Sequence, residues 1–197
     1  MMAEDTAGIM DALGIPKAHI MGLSMGGMVA QEFALRFPHR VHGLVLACTH
    51  CGGDKAVPAS GEIQALFSEF IATASPEAAQ KAGKCLFAAQ TLSEASEIVQ
   101  EYQEISAKFP VEAKVLLQQF ETIKGHDTWS RLQDIQAPTL VITGAEDLLI
   151  VAENSRILAE KIPEAQLCII PGGGHQFLVE QAEAANEVIL AFLEGLS

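Results

Sequence analysis

Gly22-Leu23-Ser24-Met25-Gly26-Gly27 sets a serine between an apolar run, His19 to Gly22, and a helical pattern, Gly26 to Phe37, that stops at Pro38. A G-x-S-x-G spacing in a strand-turn-helix context places its serine on a turn so sharp that the backbone is strained. Side chains two positions before and two after are expected to collide with neighbouring elements, which accounts for Gly22 and Gly26. The turn projects the Ser24 hydroxyl away from the sheet, and the helix that follows aims its unpaired N–H groups at the same place. The N–H of Met25 is then the expected donor to a developing oxyanion. Taken alone, the stretch also fits a plain glycine-rich turn.

Further runs of the same kind surround it. Val41 to Ala47, Thr139 to Thr143 and Gln166 to Ile170 are continuously apolar and rich in β-branched residues, as suits strands covered on both faces of a parallel sheet. Helical patterns alternate with them: Ala152 to Lys161, and Leu178 to Leu193 with its apolar residues on one face. The alternation predicts an α/β fold, a mostly parallel sheet with flanking helices. Between Cys51 and Pro138 the strand pattern gives way to helical ones, such as Ile63, Leu66, Phe67, Phe70 and Ile71. Residues 54–137 therefore read as a helical cap inserted into a core of residues 1–53 and 138–197. A cap at the C-terminal edge of a parallel sheet would overhang the crevice where ligands bind. It would act there as a lid, or simply as packing helices.

A serine needs a base and a residue to orient that base, and in this strand-turn-helix setting the chain order is serine, acid, histidine. Asp147, in Thr143-Gly144-Ala145-Glu146-Asp147, follows the third apolar run, and His175, in Pro171-Gly172-Gly173-Gly174-His175, follows the fourth. Both are thus expected on the same sheet edge as Ser24. His175 would take the Ser24 proton and Asp147 would hold the imidazole tautomer. Glu146 is the rival acid, but adjacent residues leaving a strand face opposite ways; Asp54 is a weaker one. His19, His39 and His42 lie at the wrong end of their strands; His50 and His126 are less easily set aside, and His50, which follows a strand end, could line a pocket.

Composition narrows the function classes. The chain has 197 residues, 49% hydrophobic and 19% charged, enough to build a core and unlike a disordered chain. Its 12 basic against 25 acidic residues give a net charge of −13, which disfavours nucleic acid and anionic membrane surfaces as partners. Nothing approaches the roughly 18 uninterrupted apolar residues of a membrane span, and the acidic opening is unlike a secretory signal, so the cytoplasm is the expected location. Cys48-Thr-His-Cys51 spells C-x-x-C without a second pair, so no metal site is expected there.

Taken together, the elbow, the GAED segment and the GGGH segment resemble the α/β-hydrolase superfamily. The stretch from Asp11 to Gly53 is most similar to the enol-lactone hydrolase and small carboxylesterase branch. The resemblance implies a helical cap and a Ser-His-Asp hydrolase using neither metal nor organic cofactor, acting on a small ester or lactone through an acyl-enzyme. It also implies a departure. In that family the elbow follows the fifth strand, whereas here one strand precedes Ser24, so on the order of 80 residues are expected to be missing in front. With them would go the HG-type loop that supplies a second oxyanion donor, a loss worth about 10² to 10³ in kcat. The uncovered His19 to Gly22 strand would be an open edge, for which a homodimer or larger assembly is the expected remedy. The competing expectation is a weakly active or inactive homologue that serves as a binding or scaffold protein.

Overall fold

The computed structural model describes residues 2–109 and 111–196. It begins with helix α1 (Met2–Ala12), strand β1 (Ala18–Leu23), helix α2 (Met25–Arg36) and strand β2 (Val41–Ala47). Five helices follow: α3 (Gly61–Thr73), α4 (Pro76–Lys84), α5 (Ala89–Glu94), α6 (Ser96–Lys108) and α7 (Ala113–Lys124). The chain then returns through a 3-10 turn (Trp129–Asp134) to β3 (Thr139–Gly144), α8 (Glu153–Lys161), β4 (Gln166–Ile170), α9 (Phe177–Glu180) and α10 (Ala182–Glu194). No helix among the described residues is long and apolar enough to cross a membrane.

The four strands form one parallel sheet in the order β1-β2-β3-β4. Period-two alternation divides the apolar side chains of the central strands between two cores. Leu44, Leu46 and Val141 face a core shared with α1, α2 and α8, built around Phe33, Leu132, Leu158 and Ile162. Val45, Ala47, Leu140 and Ile142 face the other, with Phe177, Ile189 and Phe192 of α9 and α10. Burial on both faces, expected of all four strands, holds for β2 and β3 only, apart from the exposed His42 near the start of β2. In β1, His19 and Met21 are exposed, and in β4 Gln166 and Leu167 are, because these two strands are the outer ones of the sheet.

One further expectation is corrected. The closing helix is not continuous from Leu178 to Leu193: it breaks at Gln181, whose φ of −125° and ψ of 45° leave the helical region. Gln181 Nε2 donates to the Gly172 carbonyl there (3.2 Å), so a tertiary bond offsets the interruption. Trp129 packs against the first core, with the Lys55 and Lys161 ammonium groups 5.7 and 4.9 Å from its ring centroid.

Candidate active site

Ser24 sits between β1 and α2 with φ 54° and ψ −119°, a backbone conformation that L side chains avoid and that a rigid surrounding must enforce. The enforcing contacts are all backbone or branched side chain. Ser24 N–H donates to Ala47 O (2.9 Å), and Ser24 O accepts from Gly27 N–H (2.9 Å) and from the Thr49 hydroxyl (2.8 Å). A Cβ at position 22 would lie 2.1 Å from the Gly26 carbonyl oxygen, so Gly22 is required as expected. Gly26 is not: a Cβ there would meet nothing within 4 Å among the described residues. The second sterically required glycine is Gly27, where a Cβ would come within 2.6 Å of the Thr49 side chain because α2 crosses so close to the end of β2. Met25 opens α2, so its N–H has no intrahelical acceptor. Its side chain lines a cleft of about 220 Å3 together with Met28, Val29, Ile123 and His126.

Asp147 and His175 follow β3 and β4 and meet over the same edge of the sheet. Both are buried, and His175 Nδ1 lies 2.7 Å from Asp147 Oδ2. A carboxylate oxygen only accepts, so Nδ1 carries the proton and Nε2 is left as the basic nitrogen. Asp147 Oδ1 is held in turn by the N–H groups of Leu149 (2.9 Å) and Ile150 (2.8 Å). Glu146 is exposed and contributes its N–H to the Gly173 carbonyl (2.9 Å), and Asp54 is exposed as well. No hydrogen bond joins the Ser24 hydroxyl to His175 among the described residues.

Cys48, which follows β2 with a φ of 43°, is fully buried beside Asp147 and His175. Its Sγ, Asp147 and His175 offer three donor atoms all within 4.8 Å of one another. The count suits a metal, but the chemistry does not. Burial, with the Asp147 carboxylate adding to it, pushes the thiol pKa well above its ordinary value and keeps the proton on sulfur, while Nδ1 and Oδ2 already satisfy each other. Cys48 Sγ is also 3.5 Å from Thr143 Oγ1. Thr49 and Gly27 lack a local signal in the chain, because what defines them is their contact with each other.

His50 and His126 back the nucleophile side. Their rings lie 6.3 Å apart, and His50 Nδ1 accepts from Gly52 N–H (2.9 Å). Burial, and then the neighbouring His126, lower the His50 pKa to about 4. Gln31 of α2 donates to the His50 carbonyl (3.1 Å) and accepts from the Thr128 hydroxyl (2.7 Å). His19, His39 and His42 are exposed at the far end of the sheet.

A family model described as the alpha/beta hydrolase fold matches residues 1–182. The chain belongs to this family. It is 30% identical over 193 residues to the "Putative carbamate hydrolase RutD" of Azorhizobium caulinodans, covering 97% of this chain and 71% of that protein. It is 32% identical over 198 residues to the 2-hydroxy-6-oxo-6-phenylhexa-2,4-dienoate hydrolase of Burkholderia cepacia, covering 97% and 68%. Among solved structures, a thermophilic esterase from Thermogutta terrifontis superposes with a TM-score of 0.82 at 27% identity, over 98% of this chain and 71% of that one.

Proposed function

We propose that this α/β hydrolase is a serine esterase or lactonase that cleaves small acyl substrates through an acyl-enzyme. The observation that carries the reading is the strained Ser24 backbone on the same sheet edge as a buried imidazole whose Nδ1 is fixed by Asp147 at 2.7 Å. In the reaction, Ser24 Oγ attacks the carbonyl carbon as its proton passes to His175 Nε2. The oxyanion accepts from the Met25 N–H, and collapse expels the alcohol, which takes the proton back from His175. Water then attacks the acyl-enzyme by the same route and frees Ser24. Asp147 keeps the ring in the right tautomer and stabilises the imidazolium. The relatives named as carbamate hydrolase, dienoate hydrolase and esterase support a carbonyl substrate. The same reading makes the helices between β2 and β3 a lid over the site, and pairs two copies through the outer edge of β1.

Turnover of a short p-nitrophenyl ester by the wild type and its loss in Ser24→Ala is the expected result; equal turnover in the variant overturns the assignment. A second reading, a binding protein that keeps the elbow without using it, is favoured by the missing hydrogen bond between Ser24 and His175. Intact-mass detection of a fluorophosphonate adduct on Ser24 separates the two. Light scattering tests the pairing, since a monodisperse 21.0 kDa particle would sink it.

A further inference from the structure

The loop carrying His175 is bonded to the helical insertion on both sides of the histidine. Before it, Gly174 N–H donates to Glu180 Oε2 (2.7 Å), while Glu180 Oε1 accepts from Ala88 N–H (2.6 Å) and from the Thr91 hydroxyl (2.8 Å). After it, Gln176 N–H donates to the Leu86 carbonyl (2.9 Å) and the Gln176 side chain to Tyr102 OH (3.2 Å). The approach is backbone to backbone: a Cβ at Gly174 would lie 2.6 Å from Ala88 N and 2.7 Å from the Phe87 carbonyl carbon. Phe87 and Ala88 are buried, and Tyr102 closes over Phe87 edge-on with ring centroids 5.3 Å apart. One carboxylate with three donors, contributed by two separate parts of the chain, makes charge-assisted bonds roughly twice as strong as neutral ones.

We propose that Glu180 is a positioning residue, a latch through which the segment from Leu86 to Thr91 of the insertion sets the place of the His175 imidazole. The proposal rests on His175 being the base. Asp147 fixes the orientation of the ring; Glu180 fixes the backbone from which the ring is hung. With the latch closed, displacement of the insertion by a bound substrate moves the base, so the fit of a substrate under the helices is read out as proton-transfer geometry.

Two variants test this, Glu180→Gln and Thr91→Val. A glutamine offers one acceptor oxygen and one amino group, so the amino group must face an N–H donor on one side of the latch. Thr91→Val removes a single donor from the insertion and keeps the carboxylate and its charge. Two readouts apply to each folded protein: amide hydrogen exchange, and the proton NMR resonance of the buried His175 Nδ1–H, which reports its hydrogen bond to Asp147. Exchange at Gly174, Gln176 and Ala88 is expected to quicken about tenfold or more in Glu180→Gln, with the β3 amides unchanged. The Nδ1–H resonance is expected to move upfield in Glu180→Gln, because a displaced ring lengthens its hydrogen bond to Asp147 Oδ2. Thr91→Val should move it in the same direction by less, and with the charge retained that change reports geometry. An unchanged Nδ1–H resonance in both variants overturns the proposal, even if exchange quickens. A shift in Glu180→Gln alone overturns it too, as an effect of charge. Neither readout needs turnover, so failure of the hydrolase reading shows separately, as a Ser24 that takes no fluorophosphonate.

Discussion

At Asp147 each carboxylate oxygen has a donor, from His175 on one side and from the Leu149 and Ile150 amides on the other, whereas the Ser24 hydroxyl has no hydrogen-bond partner among the described residues. Asp147 and His175 are held by saturated polar contacts in a buried place. The turn at Ser24 is held by backbone sterics, with Gly22 against Gly26 and Gly27 against Thr49, and the polar side chain of the serine is left open. Two physically different devices thus bring groups from three strands to one edge. The difference predicts which substitutions abolish chemistry while sparing the fold, and which do the reverse.

The largest effect tests the open half. Ser24→Ala should lower kcat on an ester by about 10⁶ with the melting temperature nearly unchanged, because no folded-state hydrogen bond of the side chain is lost. A variant that melted much lower would show that the hydroxyl is structural. In the saturated half, Asp147→Asn should lower kcat by about 10⁴. It should also destabilise the protein, as an amide presents a donor to the Leu149 or Ile150 N–H groups or to Nδ1. Turnover of the two variants with time and thermal melts of each would separate these behaviours.

Gly22→Ala should cost about 3 kcal/mol or more in denaturant unfolding, since a methyl 2.1 Å from a carbonyl oxygen forces the backbone to shift. Soluble, fully stable Gly22→Ala protein would break the steric account of the elbow. The pH arm concerns the histidines behind α2. His50 has a folded pKa of about 4, below its ordinary 6.5, so it contributes stability that is complete above pH 6.5 and is lost as pH falls toward 4. Unfolding free energies over that window should decline, and His50→Gln should flatten the decline; an unaltered slope refutes the assignment to His50. The smallest effect is Gly26→Ala, which meets open space and should change stability by less than about 1 kcal/mol, toward greater stability if at all.

Much of this was legible in the chain. The four apolar runs coincide with β1 to β4 to within a residue or so, and the alternation at a strand end on which Asp147 is preferred to Glu146 agrees with a buried aspartate and an exposed glutamate. What escaped has a common cause. Gly27 is required by Thr49, Glu180 by Gly174 and Ala88, and the break at Gln181 by Gly172: each is defined by a partner that periodicity does not reveal. The exposure of β1 and β4 likewise depends on strand order, and β-branched apolar runs look alike whether central or outer. Gly26 was misassigned because the spacing of a motif was taken for the location of a collision.

The seating of α3 to α7 between β2 and β3, two strands that lie side by side, bears on how the protein assembles itself. Loop closure grows only logarithmically with length, roughly 0.6 kcal/mol for each doubling, so the insertion scarcely weighs on equilibrium stability. It weighs on kinetics. The units β1-α2-β2 and β3-α8-β4 each close over a short crossover and can form early, whereas the seam between Leu44 and Thr139 joins the most distant neighbours in the sheet. Ser24 belongs to the first unit, Asp147 and His175 to the second. A chain with both halves folded but undocked therefore has its strands and helices, and Ser24, Asp147 and His175 come to one edge only when the central seam zips shut.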